Sequence, residues 1–61
     1  MTVDLPEDAV SVEARGKASG WCVVVIRKGG EEKEYGPLDM MRAVNGAEKL
    51  NRVLRRRRHV R

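Results

Sequence analysis

The sequence has no phenylalanine, one tryptophan and one tyrosine, so aromatic residues make up 3% of its 61 residues. Proteins that grip single-stranded nucleic acid by stacking usually build a platform from several rings. Trp21 and Tyr35 are too few for that, and packing is the plainer role for both. Cysteine and histidine are equally scarce, with Cys22 and His59 the sole examples. One cysteine excludes an intrachain disulfide, and with one histidine it falls short of a structural zinc site. No cofactor is implied either. Cys22 sits in an apolar run, with no base placed to activate it, and is expected to be a small buried hydrophobe. The longest apolar run spans residues 21–26, far below the roughly 20 residues of a membrane helix. The first eight residues carry acids and no base, unlike a secretory signal. With single-cysteine usage, this leads to an expected cytoplasmic location.

Such a short chain can form one domain, residues 1–61, and little core. A core of this size rarely supplies more than roughly 3–5 kcal/mol of net stability. With disulfide and metal excluded, self-association is the remaining reinforcement, so a homo-oligomer is expected. A catalytic cleft or a small-molecule pocket is not expected from so small a chain. No GxGxxG or GxxxxGK[ST] phosphate loop is present. No enzyme is therefore expected.

What the chain has is charge, 13 basic residues against 9 acidic ones, and the two signs are separated along it. Residues 1–13 hold Asp4, Glu7, Asp8 and Glu13 and no base. Residues 49–61 hold Lys49, Arg52, Arg55, Arg56, Arg57, Arg58 and Arg61 and no acid. Residues 1–9 are expected to be an irregular acidic N-terminus, and residues 55–61 an arginine-rich end.

The hydropathy pattern predicts an α+β fold: a small antiparallel sheet packed by one C-terminal helix. Val10, Val12 and Ala14 alternate with Ser11, Glu13 and Arg15, a period of two that predicts a strand over 10–15. The β-branched run after Gly20 predicts a second strand, and Gly29-Gly30 a two-residue hairpin turn. The hairpin then spans 21–35. A two-residue turn sets Lys28 opposite Glu31 and Arg27 opposite Glu32, two complementary pairs. It also puts Cys22, Val24, Ile26 and Tyr35 on the expected core face. Trp21, Val23 and Val25 go to the other face, an expected interface for a partner or a second copy. Pro37 suits a helix's first turn, and Asp39 favours its positive end. Met40, Val44, Ala47, Leu50 and Leu54 form an apolar stripe that predicts a helix over about 37–57. Gly46 either sits inside one helix or marks where two meet.

Four adjacent arginines, 55–58, cannot share one helix face, because neighbours lie about 100° apart. An all-round cationic segment must be solvated or bound to anions. The guanidinium fork matches phosphate bidentately, and phosphate contacts are salt-dependent and largely blind to sequence. Lys49, Arg52, Arg55, Arg56, Arg57, Arg58 and Arg61 are therefore the expected contacts to DNA or RNA, with Arg52 and Arg56 the best placed. An acidic protein surface is the alternative partner, met through the apolar sheet face and the arginines.

The order strand, Gly20-Trp21, strand, Gly29-Gly30 turn, short strand, helix resembles the three-stranded sheet and helix of integrase arm-binding and AP2-type DNA-binding domains. That resemblance implies a sheet face in the major groove, a face that here carries Glu32 and Glu34. The hairpin, helix and basic tail are also similar in order to small phage head-tail joining proteins and nucleoid-protein dimerisation domains.

Overall fold

The computed structural model describes residues 5–59, with side chains as far as Arg57. Three strands and one helix follow in order: β1 (Ala9–Lys17), β2 (Gly20–Arg27), β3 (Glu32–Leu38) and α1 (Met40–His59). The sheet is antiparallel in the order β1-β2-β3, with β2 central. The expected α+β fold is observed, with strand 10–15 extended at both ends. Residues 5–8 precede β1 irregularly.

The β2–β3 register differs from the expected one by a residue. Ile26 pairs with Glu32, Val25 with Lys33, Val24 with Glu34 and Val23 with Tyr35. The cause is the turn. Arg27 N–H donates to Glu31 O (2.8 Å) and Gly30 N–H donates to Arg27 O (2.9 Å), so the loop has three residues, 28–30. Gly30 ends it with a φ of 90°, as three-residue hairpin loops require. A one-residue shift exchanges the faces of a strand relative to its partner. Tyr35 therefore shares a face with Val23, and Glu32 and Glu34 share one with Val24. The helix covers the first of these faces, where Val23 and Val25 are each 1% exposed and Trp21 packs beside them. Val23 and Val25 cannot be partner anchors, which corrects the expected interface. Cys22, Val24 and Ile26 take the outer face instead.

The core is Val12, Val23 and Val25 from the sheet against Ala43, Ala47 and Leu54 from α1. Gly46 lies inside one continuous helix. A Cβ built there would stand 3.5 Å from Val23 Cγ2, so helix and strand approach closely at this point. The stripe is shifted from the expected one: Ala43 and Gly46 face the sheet, while Met40 and Val44 are exposed. Pro37 belongs to β3 and does not open the helix. Asp39 does, as its cap: Arg42 N–H donates to Asp39 Oδ1 at 2.8 Å.

The outer face of the sheet is apolar on β2 but not bare. Arg15, on β1, reaches across β2 to Glu32 on β3 at 3.0 Å. Lys17 makes the same crossing to Glu34. By the register, the line from Arg15 to Glu32 crosses Val24 and that from Lys17 to Glu34 crosses Cys22, and these two residues are 0% and 6% exposed. Opposite β1 and β3 charges thus roof a strand that is apolar on both sides.

Candidate functional site

Helix phase decides where the bases point. Leu50 and Leu54 face the sheet, so Lys49, Arg52 and Arg56 fall on the opposite side of α1 and are exposed. They run along about two turns of helix, roughly 10 Å at 1.5 Å per residue. Arg55 is exposed on the side of α1 toward β1. Arg52 has Glu48 one turn earlier, at 3.8 Å. Lys49, Arg55 and Arg56 have no partner among the described residues. Arg57 differs, since its guanidinium donates to Pro6 O (3.1 Å) and Leu5 O (3.4 Å). It ties the N-terminal segment to the end of the helix and is withdrawn from the exposed row. The side chain of Arg58 and the whole of Arg61 lie outside the described residues. Α1 carries seven basic residues and one acid, Glu48. Five of the seven bases lie in its C-terminal half, where the helix dipole favours cations.

Elsewhere Asp8, Glu13, Glu31, Glu32 and Glu34 are answered by bases. Arg27 donates to both oxygens of Asp8, at 2.9 and 3.0 Å, and lies 3.4 Å from Glu31. This replaces the expected pairing of Arg27 with Glu32. The hydrogen bond from Arg27 holds the Asp8 carboxyl below its usual range and raises Arg27 in turn. Arg15 likewise lowers Glu32, and is itself raised by Glu32 first and then Glu13. The sheet's acids are thus paired at home, while the helix presents cations to solvent.

No protein-family model matches the chain, and no curated protein or solved structure matches it. The groove-reading sheet implied by the integrase-like resemblance would present Glu13, Glu32 and Glu34 to phosphate, and the bases among them, Arg15 and Lys17, are already engaged.

Other features offer less. Cys22 is buried, with its thiol 3.6 Å from Arg15 O. Trp21 is half-buried, its ring 3.3 Å from where a Gly16 Cβ would stand. A hollow of about 440 Å³ is lined by Pro6, Val25, Arg27, Glu31, Glu32 and Lys33, so both signs face it. Among the described residues, no three His, Cys, Asp or Glu side chains gather as a metal site. No described helix is long and apolar enough to cross a membrane.

Two contributors escaped sequence reasoning. Asn51, polar within the sheet-facing phase of the helix, holds the β1 main chain. Arg57 serves the fold within a run that otherwise looks uniform. The interruption of an apolar stripe by one amide was the only signal for the first; the second had none.

Proposed function

We propose that this chain is a small nucleic-acid-binding protein that contacts phosphates through the exposed side of α1. One observation supports the reading above others. Lys49, Arg52 and Arg56 stand in one exposed row with Arg55 beside them, and Glu48 is the single acid on that helix. Five further acids, Asp8, Glu13, Glu31, Glu32 and Glu34, are engaged by Arg15, Lys17 and Arg27. The row therefore projects a positive field that Glu48, beside Arg52, offsets only in part. Mechanistically, each guanidinium or ammonium replaces condensed counterions on the phosphate backbone. Recognition of this kind positions the protein without reading base edges. It needs no catalytic group, no cofactor and no small-molecule substrate.

A salt series on duplex and single-stranded DNA and RNA tests this. Affinity falls as salt rises, with a slope of about −0.9 per phosphate contact on B-form DNA. Changing Arg52 and Arg56 to Ala makes that slope shallower by about 2. Absence of any binding at low salt defeats the reading.

A second reading rests on a separate observation. Met40, Met41 and Val44 are 53%, 68% and 44% exposed on the same helix, and methionine is enriched where proteins meet. In that reading the chain docks on an acidic protein, the arginines binding carboxylates.

A further inference from the structure

The β1 edge of the sheet carries two features that the basic row does not use. The first is its open main chain. Val12 N–H donates to Asn51 Oδ1 (3.1 Å), and Asn51 Nδ2 donates to Val12 O (2.6 Å). Both Val12 groups therefore point away from β2. Antiparallel strands alternate, so the N–H and C=O of Ala14 and Gly16 point outward along the same edge. Among the described residues neither has a partner there. Asn51 closes this edge at Val12 and leaves it open over the next four residues.

The second feature is the exposed apolar group on α1. Val44 precedes Asn51 by seven residues, two helical turns, so both project from the same side. Trp21 pairs with Gly16 on one flank and Leu38 on the other, which sets the start of α1 near the Lys17 end of β1. Going back along α1 from Asn51 to Val44 covers about 10 Å. The matching distance along β1 from Val12 is about three residues. Val44 thus flanks the open edge at Ala14 and Gly16, with Met40 one turn further on. The Trp21 ring lies over Gly16. An unpaired strand edge rimmed by methionine, valine and tryptophan is a surface built for strand addition.

We propose that β1 pairs with the β1 of a second copy, antiparallel about a two-fold axis at Arg15, to make one six-stranded sheet. In this register Ala14 of each copy exchanges main-chain hydrogen bonds with Gly16 of the other, and Asn51 stays in place on Val12. Charge complementarity selects a second copy as the occupant: Glu13 of each chain falls opposite Lys17 of the other, so the pairs each already makes, Glu13 with Arg15 and Lys17 with Glu34, join into one network across the seam. Arg15 meets its own copy at the axis, but each guanidinium is turned back across its own sheet to Glu32. The two helices run antiparallel, Val44 and Met40 meet across the axis, and the basic ends point apart. The other edge, β3, is unsuited to the same exchange. Like β1, it would set a like pair at the axis; centring on Lys33 adds Glu32 opposite Glu34, and centring on Glu34 supplies no opposite-charge pair such as Glu13 with Lys17 to offset it.

Sedimentation equilibrium without nucleic acid, at high salt, tests the pairing together with amide exchange. The expected result is twice the chain mass, with slow exchange at Ala14 and Gly16. Val44→Glu and Met40→Glu, both at exposed positions, should restore the single-chain mass and fast exchange at those two amides, with unchanged far-UV circular dichroism. A single-chain mass up to millimolar concentration would overturn the proposal. So would a dimer in which Ala14 and Gly16 exchange freely. Because no nucleic acid is present, the outcome is separate from that of the salt series.

Discussion

Asn51 holds both main-chain groups of Val12, donating to its carbonyl and accepting from its N–H. A side-chain amide has the same donor and acceptor as a peptide unit, so Asn51 stands in for a fragment of neighbouring strand. It also fixes the helix over the sheet edge. Asn51→Leu leaves both Val12 groups without a partner and should cost about 1–3 kcal/mol, read from urea denaturation. Asn51→Asp keeps the acceptor, loses the donor and sets a carboxylate against Val12 O. Its loss should be larger at neutral pH than at acid pH.

Gly46 is a place where the chain stands below its own stability optimum. It lies in regular helix, and an added Cβ would make ordinary contact with Val23 at 3.5 Å. Gly46→Ala should stabilise by up to about 1 kcal/mol, the difference in helix propensity. Gly46→Leu should destabilise by pushing the helix off β2. Gly36 behaves oppositely. Its Cβ would come 2.9 Å from Trp21 O, so Gly36→Ala should lose about 0.5–3 kcal/mol. Thermal melts of the three variants check the signs.

Acid should weaken the fold through Asp8 and Glu32. Both carboxyls are held below their ordinary values, by Arg27 and Arg15 respectively. A group with a depressed folded pKa contributes stability above its unfolded value, and this is lost as pH falls through the folded one. The loss therefore begins near pH 4, the ordinary carboxylate value, and continues below it. Asp8→Asn and Glu32→Gln should each flatten the acid limb of the stability curve and leave its slope above pH 6 unchanged.

Arg56 and Arg57 are adjacent but should fail differently. Arg56→Ala should make nucleic-acid binding less salt-dependent, by about one unit of slope, without altering the melt. Arg57→Ala releases the Leu5 and Pro6 carbonyls and should lower stability by about 0.5–1.5 kcal/mol. Its effect on the salt slope should be smaller. Measuring both quantities on both variants separates the two roles.

The strands, the hairpin and the helix were legible because apolar residues repeat with a period near two in one half and near 3.6 in the other. The direction of Lys49, Arg52 and Arg56 was legible for the same reason, since Leu50 and Leu54 set the helix phase. The faces of the hairpin were not. Gly29-Gly30 fits a two-residue turn, and the charge pairs of that register looked complementary. The protein uses the second glycine to close a three-residue loop, and Asp8 and Glu31 take Arg27 instead. Two apolar faces on β2 made either register acceptable to the strand alone. The choice rests on Ala43, Gly46 and Ala47, whose small size lets the helix settle on Val23 and Val25. Long-range contacts such as Arg57 to Pro6 leave no local trace in the chain.

The roof that Arg15 and Lys17 form over Val24 and Cys22 has a consequence at a distance. Each cation laid across the outer face is matched there by Glu13, Glu32 or Glu34, so that side is close to electrically silent, while the helix side is strongly positive. The molecule has a front and a back. A polyanion approaching at low ionic strength would turn it helix-first before any contact forms, so that few encounters are wasted on the sheet. Added salt would erase that alignment over the screening length, about 10 Å at 0.1 M, and with it most of the gain in association rate.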